Sequence, residues 1–364
     1  MTENHFENIL SRFQLAGKVG SCKPFGSGHI HDTYLVRTVS GETSYILQRV
    51  NHKIFKNVPA MMENIQRVTA HIRQKLQQTP GADPARGTLT IVPATDGLPY
   101  YLDEAGNYWR MFVYIEPHQS FDLTTDRDKV REAGKAYGRF MNLLSDLGGE
   151  PLYETIPNFH NIDMRLGLFE ESLRTGNQAR IRQAPDEIRV IRDRAEEMTL
   201  FRRLSQAGYI PTRITHNDTK INNVLFTPEG KALCVIDLDT VMPGLVHYDF
   251  GDAMRTFTNT AAEDEADTTR VSMNIANFAS FAEGYLGETA GMLSAVEKDQ
   301  LALAAEYFTY LHILRFLTDY FMDDVYYKIH YPEHNLVRAR NQHALLKSMD
   351  EQFHEMKTII GRLA

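Results

Sequence analysis

The chain has 364 residues, more than the about 100–200 residues of a usual single domain, so we expect two lobes. With 43% hydrophobic and 24% charged residues, its composition is that of a globular protein and excludes a disordered chain. The net charge of −8, with basic residues scattered among acidic ones, argues against nucleic acid as a partner.

The sequence features that bear on location favour the cytoplasm. The N-terminal stretch MTENHFENILSRFQ has no apolar segment of the kind found in secretory signals. Cys22 and Cys234 stand far apart and form neither a metal-binding nor a disulfide spacing, which fits a reducing compartment. The apolar segment from Leu301 is interrupted by charged residues and a histidine, so it predicts a core helix and not a membrane span. We therefore expect a soluble cytoplasmic protein without a membrane partner.

The first 115 residues alternate strand-like segments with one helical segment. Strands are predicted where β-branched and aromatic residues are bounded by turn residues. Apolar residues spaced by three and four predict an amphipathic helix from Val58 to Gln77. The predicted strands are YLVRT near Tyr34, SYILQRV from Ser44, LTIVPAT from Leu89, LPYYLD from Leu98 and YWRMFVYI from Tyr108.

Helical periodicity dominates from Asp128 onwards, for example in REAGKAYGRFMNLL and HALLKSMDEQFHEMKTII. This half contains two convincing strands, VLF at 224–226 and LCVI at 233–236, joined by the turn TPEGKA. The predicted fold class is therefore α+β with two lobes. Its parts are a small β-rich lobe with one helix (1–115), a connector (116–121) and a larger, mainly helical lobe with one hairpin (122–364).

The stretch HNDTKINN, which begins at His216, lies directly before this hairpin, and IDLD follows it. Because an antiparallel hairpin brings its two ends together, Asn223 and Asp237 should be neighbours, with Asp218 a short loop away. Amide and carboxylate oxygens suit Mg²⁺ held jointly with phosphates, and a metal-free Asp218 could take a proton from an attacking hydroxyl. The spacing is that of the kinase catalytic loop; the alternative is a solvated polar loop.

Two further acidic positions follow the hairpin. The letters Asp-Phe-Gly occur at Asp249, yet they stand past the hairpin, so we expect Asp237 to be the metal ligand. Asp249 is expected to cap the following helix and to brace the catalytic loop by accepting backbone hydrogen bonds. Asp239 is expected either to pair with a cation such as Arg255 or to have a second direct role at the metal or substrate.

The N-terminal stretch PFGSGHIHDTYLV contains the turn Gly26, Ser27, Gly28 ahead of a strand. A glycine pair lets the backbone approach phosphates closely, which predicts a nucleotide-binding turn; a plain hairpin turn is the alternative. His29 and His31 either touch phosphate or belong to that turn.

Several stretches together resemble the aminoglycoside phosphotransferase-like kinases, a family with a protein-kinase-like fold. Within it the closest likeness is to the bacterial N-acetylhexosamine 1-kinases. The resemblance implies ATP and Mg²⁺ as cofactors and an N-acetylhexosamine, GlcNAc or GalNAc, as the sugar phosphorylated at its anomeric hydroxyl. It rests on GHIHDTYLV, YILQRVN, REAGKAYGRFMNLLS, ITHNDTKINNVLF, VIDLDTVMPG, DFGDAMR and YPEHNLVRARNQ, which lie between residues 28 and 342.

The same resemblance implies roles for individual residues. Asp218 would be the catalytic base, Asn223 and Asp237 the Mg²⁺ ligands, and the glycine turn the phosphate cover of a nucleotide-binding first lobe. Arg315 and Tyr326 would contact the sugar. The alternatives are a helix pair between Arg315 and its i+4 neighbour, an aspartate, and a packed ring for Tyr326.

One position departs from the general kinase pattern. In SYILQRV, strand alternation places Gln48 where kinases carry a phosphate-binding Lys. Lys220, two residues after the predicted base, is then the best candidate to provide a cation to the γ-phosphate, and it is grouped with Asp218 as catalytic. Gln48 and Asn223 remain nucleotide-binding candidates. Glu63 on the predicted helix lacks its usual Lys partner and receives no catalytic role.

Two other functions stay open at this point. One is a kinase of another alcohol or amino sugar, such as choline or an aminoglycoside. The other is a nucleotide-binding regulator without turnover, which Gln48 would permit but which would not need Asp218, Asn223 and Asp237 together. The sugar epimer, the nucleotide, the oligomeric state and the pathway are not readable from the sequence.

Overall fold

The computed structural model describes residues 3–26, 30–41, 43–289 and 291–363. These residues form two compact units. The first unit comprises Met1–Gln119, Leu143–Pro157 and Val224–Pro243, and the second comprises Ser120–Asn142, Asn158–Asn223 and Gly244–Ala364.

An antiparallel five-stranded sheet, in the order β1-β2-β3-β5-β4, forms the centre of the first unit. Alternate residues of each strand point to one face of the sheet. On this face, Leu47 of β3 and its partner Met111 of β5 pack in one core with α1. Trp109 is fully buried in this core. The elements are α1 (Glu3–Leu10), β1 (Val19–Pro24), β2 (Asp32–Thr38), β3 (Ser44–Arg49), α2 (Val58–Gln77), β4 (Tyr101–Leu102) and β5 (Tyr108–Val113).

The sheet confirms three of the predicted strands, β2, β3 and β5, and corrects the others. LTIVPAT is not a strand: Ile91 and Ala94 form isolated bridges only, because Pro93 has no N–H to continue a ladder. LPYYLD contributes just the two residues of β4. Strand β1 was not predicted, since VGSCKP is largely polar and shows no alternation.

Helix α2 has the predicted bounds and binds two later segments of the first unit. The Asn57 side chain accepts a hydrogen bond from the backbone of Ala60 and caps the helix. Inside the helix, the buried side chain of Asn64 donates to the carbonyl oxygens of Tyr153 and Val241 and accepts from the Tyr153 N–H. One amide thus satisfies three backbone groups and joins the segments around residues 153 and 241 to the helix.

The predicted hairpin is confirmed by strands β7 (Val224–Phe226) and β8 (Ala232–Val235). Its antiparallel register pairs Val224 with Val235. Both cysteines are free thiols, as expected; burial raises the pKa of Cys22 to about 11 and that of Cys234 to about 12.

The second unit is mainly helical and is built around α11. This helix is buried on all sides, its four charged or histidine side chains included, and packs against α4, α8 and α12, which confirms the predicted core helix. None of the described helices is long and apolar enough to cross a membrane. The helices are α3 (Arg127–Leu143), α4 (Ile162–Thr175), α5 (Gln178–Ile181), α6 (Pro185–Met198), α7 (Leu200–Gln206), α8 (Val246–Phe257), α9 (Ile275–Thr289), α10 (Ala295–Asp299), α11 (Leu301–Phe321) and α12 (His334–Leu363). Two strands of three residues, β6 (Arg213–Thr215) in the second unit and β9 (Met242–Gly244), which begins in the first, were not predicted because they are too short to show a period.

Helices α3 and α9 approach each other until their backbones touch. A Cβ atom on Gly134 or Gly138 of α3 would collide with main-chain atoms of α9, and one on Gly284 of α9 would collide with main-chain atoms of α3. Only glycine therefore fits these three positions.

Candidate active site

The loop that begins at His216 is fastened to α8 by two buried carboxylates. Asp249 accepts hydrogen bonds from the backbone N–H groups of His216, at 2.8 Å, and Asn217, at 2.7 Å. Asp252, one turn later, accepts from the backbone N–H of Thr219 at 3.0 Å. Asn217 has a φ of 66°, a conformation that a non-glycine residue keeps when its surroundings hold it. Helix α8 therefore fixes the backbone of this loop.

The literal Asp-Phe-Gly stretch is part of α8. Asp249 braces the loop as predicted, but it does not cap the helix, because α8 begins at Val246 and Asp249 already lies in its first turn. Phe250 is buried among aromatic rings, and a Cβ on Gly251 would collide with the carbonyl of Ala304 in α11. Burial raises the pKa of Asp249 to about 6.

Asp218, Lys220 and Asn223 contact one another. The ammonium of Lys220 lies 2.6 Å from Asp218 Oδ1. The Asn223 amide donates to the backbone oxygen of Asp218 at 2.9 Å and to its Oδ2 at 3.2 Å. From α3, the hydroxyl of Tyr137 donates to the carbonyl of Lys220 at 2.6 Å. The motif thus brings its carboxylate, cation and amide together.

The carboxylate of Asp218 is ionised and reachable. Burial opposes its charge, but Lys220 and Asn223 outweigh burial and hold its pKa below the usual value. Burial likewise opposes the charge of Lys220, whose pKa Asp218 raises. The Asp218 side chain keeps 24% of its surface exposed, so a ligand can reach it.

The oxygen atoms of Asn223 and Asp237 are of the kind that binds magnesium. The amide N–H of Asn223 is committed to Asp218, which leaves its carbonyl oxygen as a ligand atom. Asp237 precedes a short 3-10 helix and has a φ of 61°. Carboxylate and amide oxygens are hard ligands, so these donors fit Mg²⁺ in kind. Among the described residues, no three or more His, Cys, Asp or Glu side chains cluster as a metal site.

Gln48, at the position expected for a Lys, is hydrogen-bonded through both ends of its amide. Its Oε1 accepts from Arg110 Nε at 2.9 Å, and its Nε2 donates to Thr33 Oγ1 at 3.1 Å. Arg110 lies directly opposite Gln48 in the register of β3 and β5. A cation is therefore present here, but on the neighbouring strand. Glu63, which has no assigned role, is exposed on α2.

Asp239 pairs with a cation, which confirms that expectation, but the cation is Arg110, with His31 beside it, and not Arg255. The guanidinium of Arg110 donates to both carboxylate oxygens of Asp239, and His31 Nε2 lies 2.5 Å from Oδ2. Arg110 is 2% exposed and Asp239 3%, and a buried guanidinium needs a buried carboxylate beside it. Burial alone would raise the pKa of Asp239, but Arg110 and His31 hold it well below its usual range. Arg255 pairs instead with two carboxylates of the second unit.

Of the glycine turn, the structure describes the first residue, Gly26. Gly26 has a φ of 78°, which favours glycine. Ser27, Gly28 and His29 lie outside the described residues. His31, after the turn, contacts Asp239 and accepts a backbone hydrogen bond on its other ring nitrogen.

Arg315 is surrounded by aromatic rings. Its guanidinium carbon lies 5.2 Å from the ring centre of Phe159, 5.8 Å from Tyr326 and 5.6 Å from Tyr327. In the part of the chain that the structure describes, no ion pair joins Arg315 to Asp319, whose carboxylate accepts the backbone N–H groups of Tyr326 and Tyr327. The helix-pair alternative is therefore wrong. Tyr326 is 57% exposed, so it is not a packed ring.

Two residues that no motif singles out, His160 and Arg165, contact Phe159, the residue over whose ring Arg315 lies: the ring centres of Phe159 and His160 are 4.3 Å apart, and Arg165 donates to the Phe159 carbonyl. Burial lowers the pKa of His160 well below its usual value, and the charges of Arg315 and Arg165 lower it further. The Asp218 carboxylate also acts on His160. The neutral imidazole thus lies near both the loop that begins at His216 and the two guanidinium groups. Isolated positions of this kind leave no local pattern that a sequence could reveal.

Comparisons with known proteins agree with this architecture. A family model described as "APH: Phosphotransferase enzyme family" matches residues 21–282. A choline/ethanolamine kinase family protein from Mesorhizobium loti superposes with a TM-score of 0.61 at 15% identity, covering 99% of both chains. An aminoglycoside phosphotransferase from Alicyclobacillus acidocaldarius gives 0.58 at 13% identity and 96% of both chains. A spectinomycin phosphotransferase in complex with ADP and spectinomycin gives 0.53 at 12% identity, covering 100% of this chain and 98% of the other. These likenesses show the protein-kinase-like fold.

Proposed function

Because the chain belongs to the phosphotransferase enzyme family, we propose that it is an ATP-dependent small-molecule kinase that phosphorylates the anomeric hydroxyl of an N-acetylhexosamine. The observation that carries this proposal is the contact of Asp218, Lys220 and Asn223 in a loop braced by α8. A carboxylate, a cation and a free amide oxygen are the groups that phosphoryl transfer to a hydroxyl requires.

Residues 1–115 are proposed to bind the nucleotide, 116–121 to connect the lobes, and 122–364 to carry the catalytic loop and the sugar pocket. In the first part, the turn at 26–28 would cover the phosphates and Gln48 would lie at the nucleotide site. The ADP bound to the spectinomycin phosphotransferase of the same fold supports ATP as the phosphoryl donor.

Asn223 and Asp237 are proposed to hold Mg²⁺. The register of the hairpin supports this proposal. The chain enters β7 from Asn223 at the same end of the hairpin at which it leaves β8 toward Asp237. When bound, the cation would neutralise phosphate charge.

Asp218 is the proposed general base. Its ionised, partly exposed carboxylate can accept the proton of an acceptor hydroxyl placed within about 3 Å, since proton transfer needs hydrogen-bond contact. Lys220 would exchange its ion pair with Asp218 for the γ-phosphate, which places positive charge where negative charge develops.

The charges around Arg315 favour a neutral acceptor over a cationic one. Arg315 and Arg165 lie beside the neutral His160, and the exposed ring of Tyr326 adds an apolar surface of the kind that lines small-molecule sites. A positively charged choline or aminoglycoside would meet two guanidinium groups here. These contacts support a sugar role for Arg315 and Tyr326.

The proposal is tested by the identity of the product. ATP consumption is measured with GlcNAc, GalNAc, glucose, galactose, choline and an aminoglycoside, and the product is examined for a reducing end. We expect a non-reducing sugar 1-phosphate from an N-acetylhexosamine and no product from methyl N-acetylglucosaminide, whose anomeric oxygen is blocked. A reducing product rules out the 1-kinase, turnover on choline or the aminoglycoside alone identifies the other kinase class, and nucleotide binding without turnover identifies a regulator.

The base assignment has its own test in Asp218→Asn. The amide keeps the shape of the side chain and loses basicity, so turnover should fall by about 10²–10⁴-fold or more. Mg-ATP binding, measured by calorimetry, should be nearly unchanged. A variant that keeps the parent's turnover would show that Asp218 is not the base.

A further inference from the structure

The buried cluster of Arg110, Asp239, His31 and Gln48 lies within the first unit and is not used by the proposed chemistry. Arg110 donates to both oxygens of Asp239 and, through Nε, to Gln48. Three of the five N–H groups of its guanidinium are therefore bonded to oxygen atoms of this cluster, and its charge is offset by Asp239. Kinases usually carry a phosphate-binding Lys at the position of Gln48 on β3, opposite Arg110. Because its donors are engaged, Arg110 is not free to replace that Lys.

The hydrogen-bond geometry fixes the protonation of His31. The backbone N–H of Asn51 donates to His31 Nδ1 at 3.0 Å, so Nδ1 acts as an acceptor and carries no proton. Nε2 therefore carries it and donates to Asp239 Oδ2 at 2.5 Å. The same contact joins the chain just after the glycine turn to Asp239.

Asp239 lies two residues after Asp237, inside the 3-10 helix Leu238–Thr240. Asp237 adopts the left-handed conformation, with φ 61° and ψ 57°, which a non-glycine residue keeps when neighbouring contacts impose it. Those contacts are visible on its C-terminal side. Asp239 is clamped by Arg110 and His31, and the carbonyl of Val241 accepts a hydrogen bond from Asn64 of α2 at 3.0 Å.

We infer that Asp239 is an anchor and not a second metal ligand, and that Arg110 and His31 are positioning residues that hold the backbone of Asp237. Gln48 takes part by orienting the Arg110 fork, which gives the departure from Lys at this position a physical reason. The inference rests on the proposed role of Asp237 as a Mg²⁺ ligand. It predicts that changes at Arg110 or His31 act on the affinity for Mg²⁺ although neither residue binds it.

The test is calorimetry of a non-hydrolysable ATP analogue with and without Mg²⁺, so it does not depend on turnover. Arg110→Lys keeps the charge and loses the bidentate fork. We expect its Mg²⁺ affinity in the presence of nucleotide to fall about 10–100-fold, the usual cost of losing a residue that orients a ligand, with Mg²⁺-free nucleotide binding nearly unchanged. Asp239→Asn should lower the Mg²⁺ affinity in the same way. The double variant should lose less affinity than the sum of the two single losses, because both changes break the same contact between Arg110 and Asp239.

Arg213→Lys is the matched control. Arg213 forms a bidentate pair with the buried Glu297, at 2.6 and 2.8 Å, in the second unit. Losing this fork should lower the melting temperature without changing the Mg²⁺ affinity. Should Arg110→Lys not fold, His31→Gln retains a donor for Asp239 and leaves the pair of Arg110 and Asp239 in place, so it should show a smaller loss of Mg²⁺ affinity in the same direction.

Two results would overturn the inference, and they are distinguishable. If Arg110→Lys or His31→Gln lowers the melting temperature like Arg213→Lys but leaves the Mg²⁺ affinity at the parent's value, the cluster is structural and the proposed function stands. If nucleotide binding by the parent itself does not respond to Mg²⁺, the proposed metal site fails, and the inference fails with it.

Discussion

Lys220 and Gln48 differ in what already surrounds them. Lys220 is paired with one partly exposed carboxylate, Asp218, and its own side chain is 43% exposed, so a phosphate oxygen can reach it and replace that partner. The amide of Gln48 is engaged by Arg110 and Thr33, and so it has a structural partner at each end. A shared phosphate-binding task for the two residues is therefore not supported by their contacts.

Lys220→Met should lower kcat more than Gln48→Leu does. The first change removes the proposed γ-phosphate cation, while the second removes a neutral amide that orients Arg110. Steady-state kinetics at saturating Mg-ATP compares the two. Gln48→Leu should instead raise the Mg²⁺ concentration required for half-maximal rate. Equal losses in kcat would mean that Gln48 performs the task of the missing Lys.

Proximity along the chain decided which site residues the sequence could reveal. HNDTKINN predicted that Asp218 and Asn223 lie together, and their hydrogen bond at 3.2 Å confirms it. The partner of Asp239 was mispredicted because Arg110 lies 129 positions away and occurs in no motif. The pairing follows from the sheet register and from the need to neutralise a buried charge, and neither is visible in a local pattern.

At the scale of elements, α8 supports the proposed catalytic loop by accepting hydrogen bonds from its backbone. Asp249→Ala leaves the N–H groups of His216 and Asn217 buried without an acceptor, at a cost of about 1–3 kcal/mol each. Thermal denaturation should show a clearly lower melting temperature. Calorimetry of the folded protein should still show Mg²⁺-dependent nucleotide binding, whereas Asp237→Ala should lose it.

Asp96→Ala is a control for this pair of variants. Asp96 accepts a backbone hydrogen bond from Leu98 in an exposed turn, so its loss should cost no more than about 0.5 kcal/mol. If Asp249→Ala abolished the Mg²⁺ response while Asp237→Ala kept it, the literal Asp-Phe-Gly would be the metal site.

Helix α2 was predicted with its exact bounds, whereas strand β1 was not predicted at all. The 20 residues of α2 repeat one apolar stripe often enough to fix its ends. The six residues of β1 do not alternate, because the strand lies at an edge of the sheet with most of its side chains partly exposed. Edge strands of this kind are specified by their neighbour and not by their own sequence.

At the scale of the whole molecule, the first unit is assembled from pieces distant in sequence. Leu143–Pro157 and Val224–Pro243 belong with the N-terminal sheet. Single side chains such as Asn64 make these connections, and their hydrogen bonds leave no periodic signal. Composition and periodicity therefore predicted the α+β class but not which later segments join the sheet.

Acid should destabilise the fold through buried neutral histidines. Burial lowers the pKa of His247 to about 4 and those of His160 and His312 well below 6.5. Below pH 6.5 the unfolded chain binds these protons and the folded chain does not, so the free energy of unfolding falls as pH falls. For His247 the loss grows down to about pH 4 and reaches about 3 kcal/mol. Asp249, with its pKa raised to about 6, acts in the opposite direction over the same range.

The variant His247→Gln isolates one of these contributions. Glutamine offers a donor for the Glu297 carbonyl that His247 Nε2 contacts at 3.0 Å, and it does not titrate. Comparing melting temperatures at pH 7 and pH 5 should show a smaller drop for the variant than for the parent. An identical drop would mean that His247 is protonated in the folded protein.

The crossing of α3 and α9 has a consequence for selection from mutant libraries. Tyr137 of α3 lies between Gly134 and Gly138 of the crossing and reaches the carbonyl of Lys220. In a library that samples every substitution and selects for activity, Gly134, Gly138 and Gly284 should recover glycine alone, although they lie on α3 and α9 and not in the proposed catalytic loop. The three glycine positions would then tolerate no other residue. A map of essential residues, drawn from the variants that selection removes, would mark the crossing of α3 and α9 as strongly as the proposed catalytic loop.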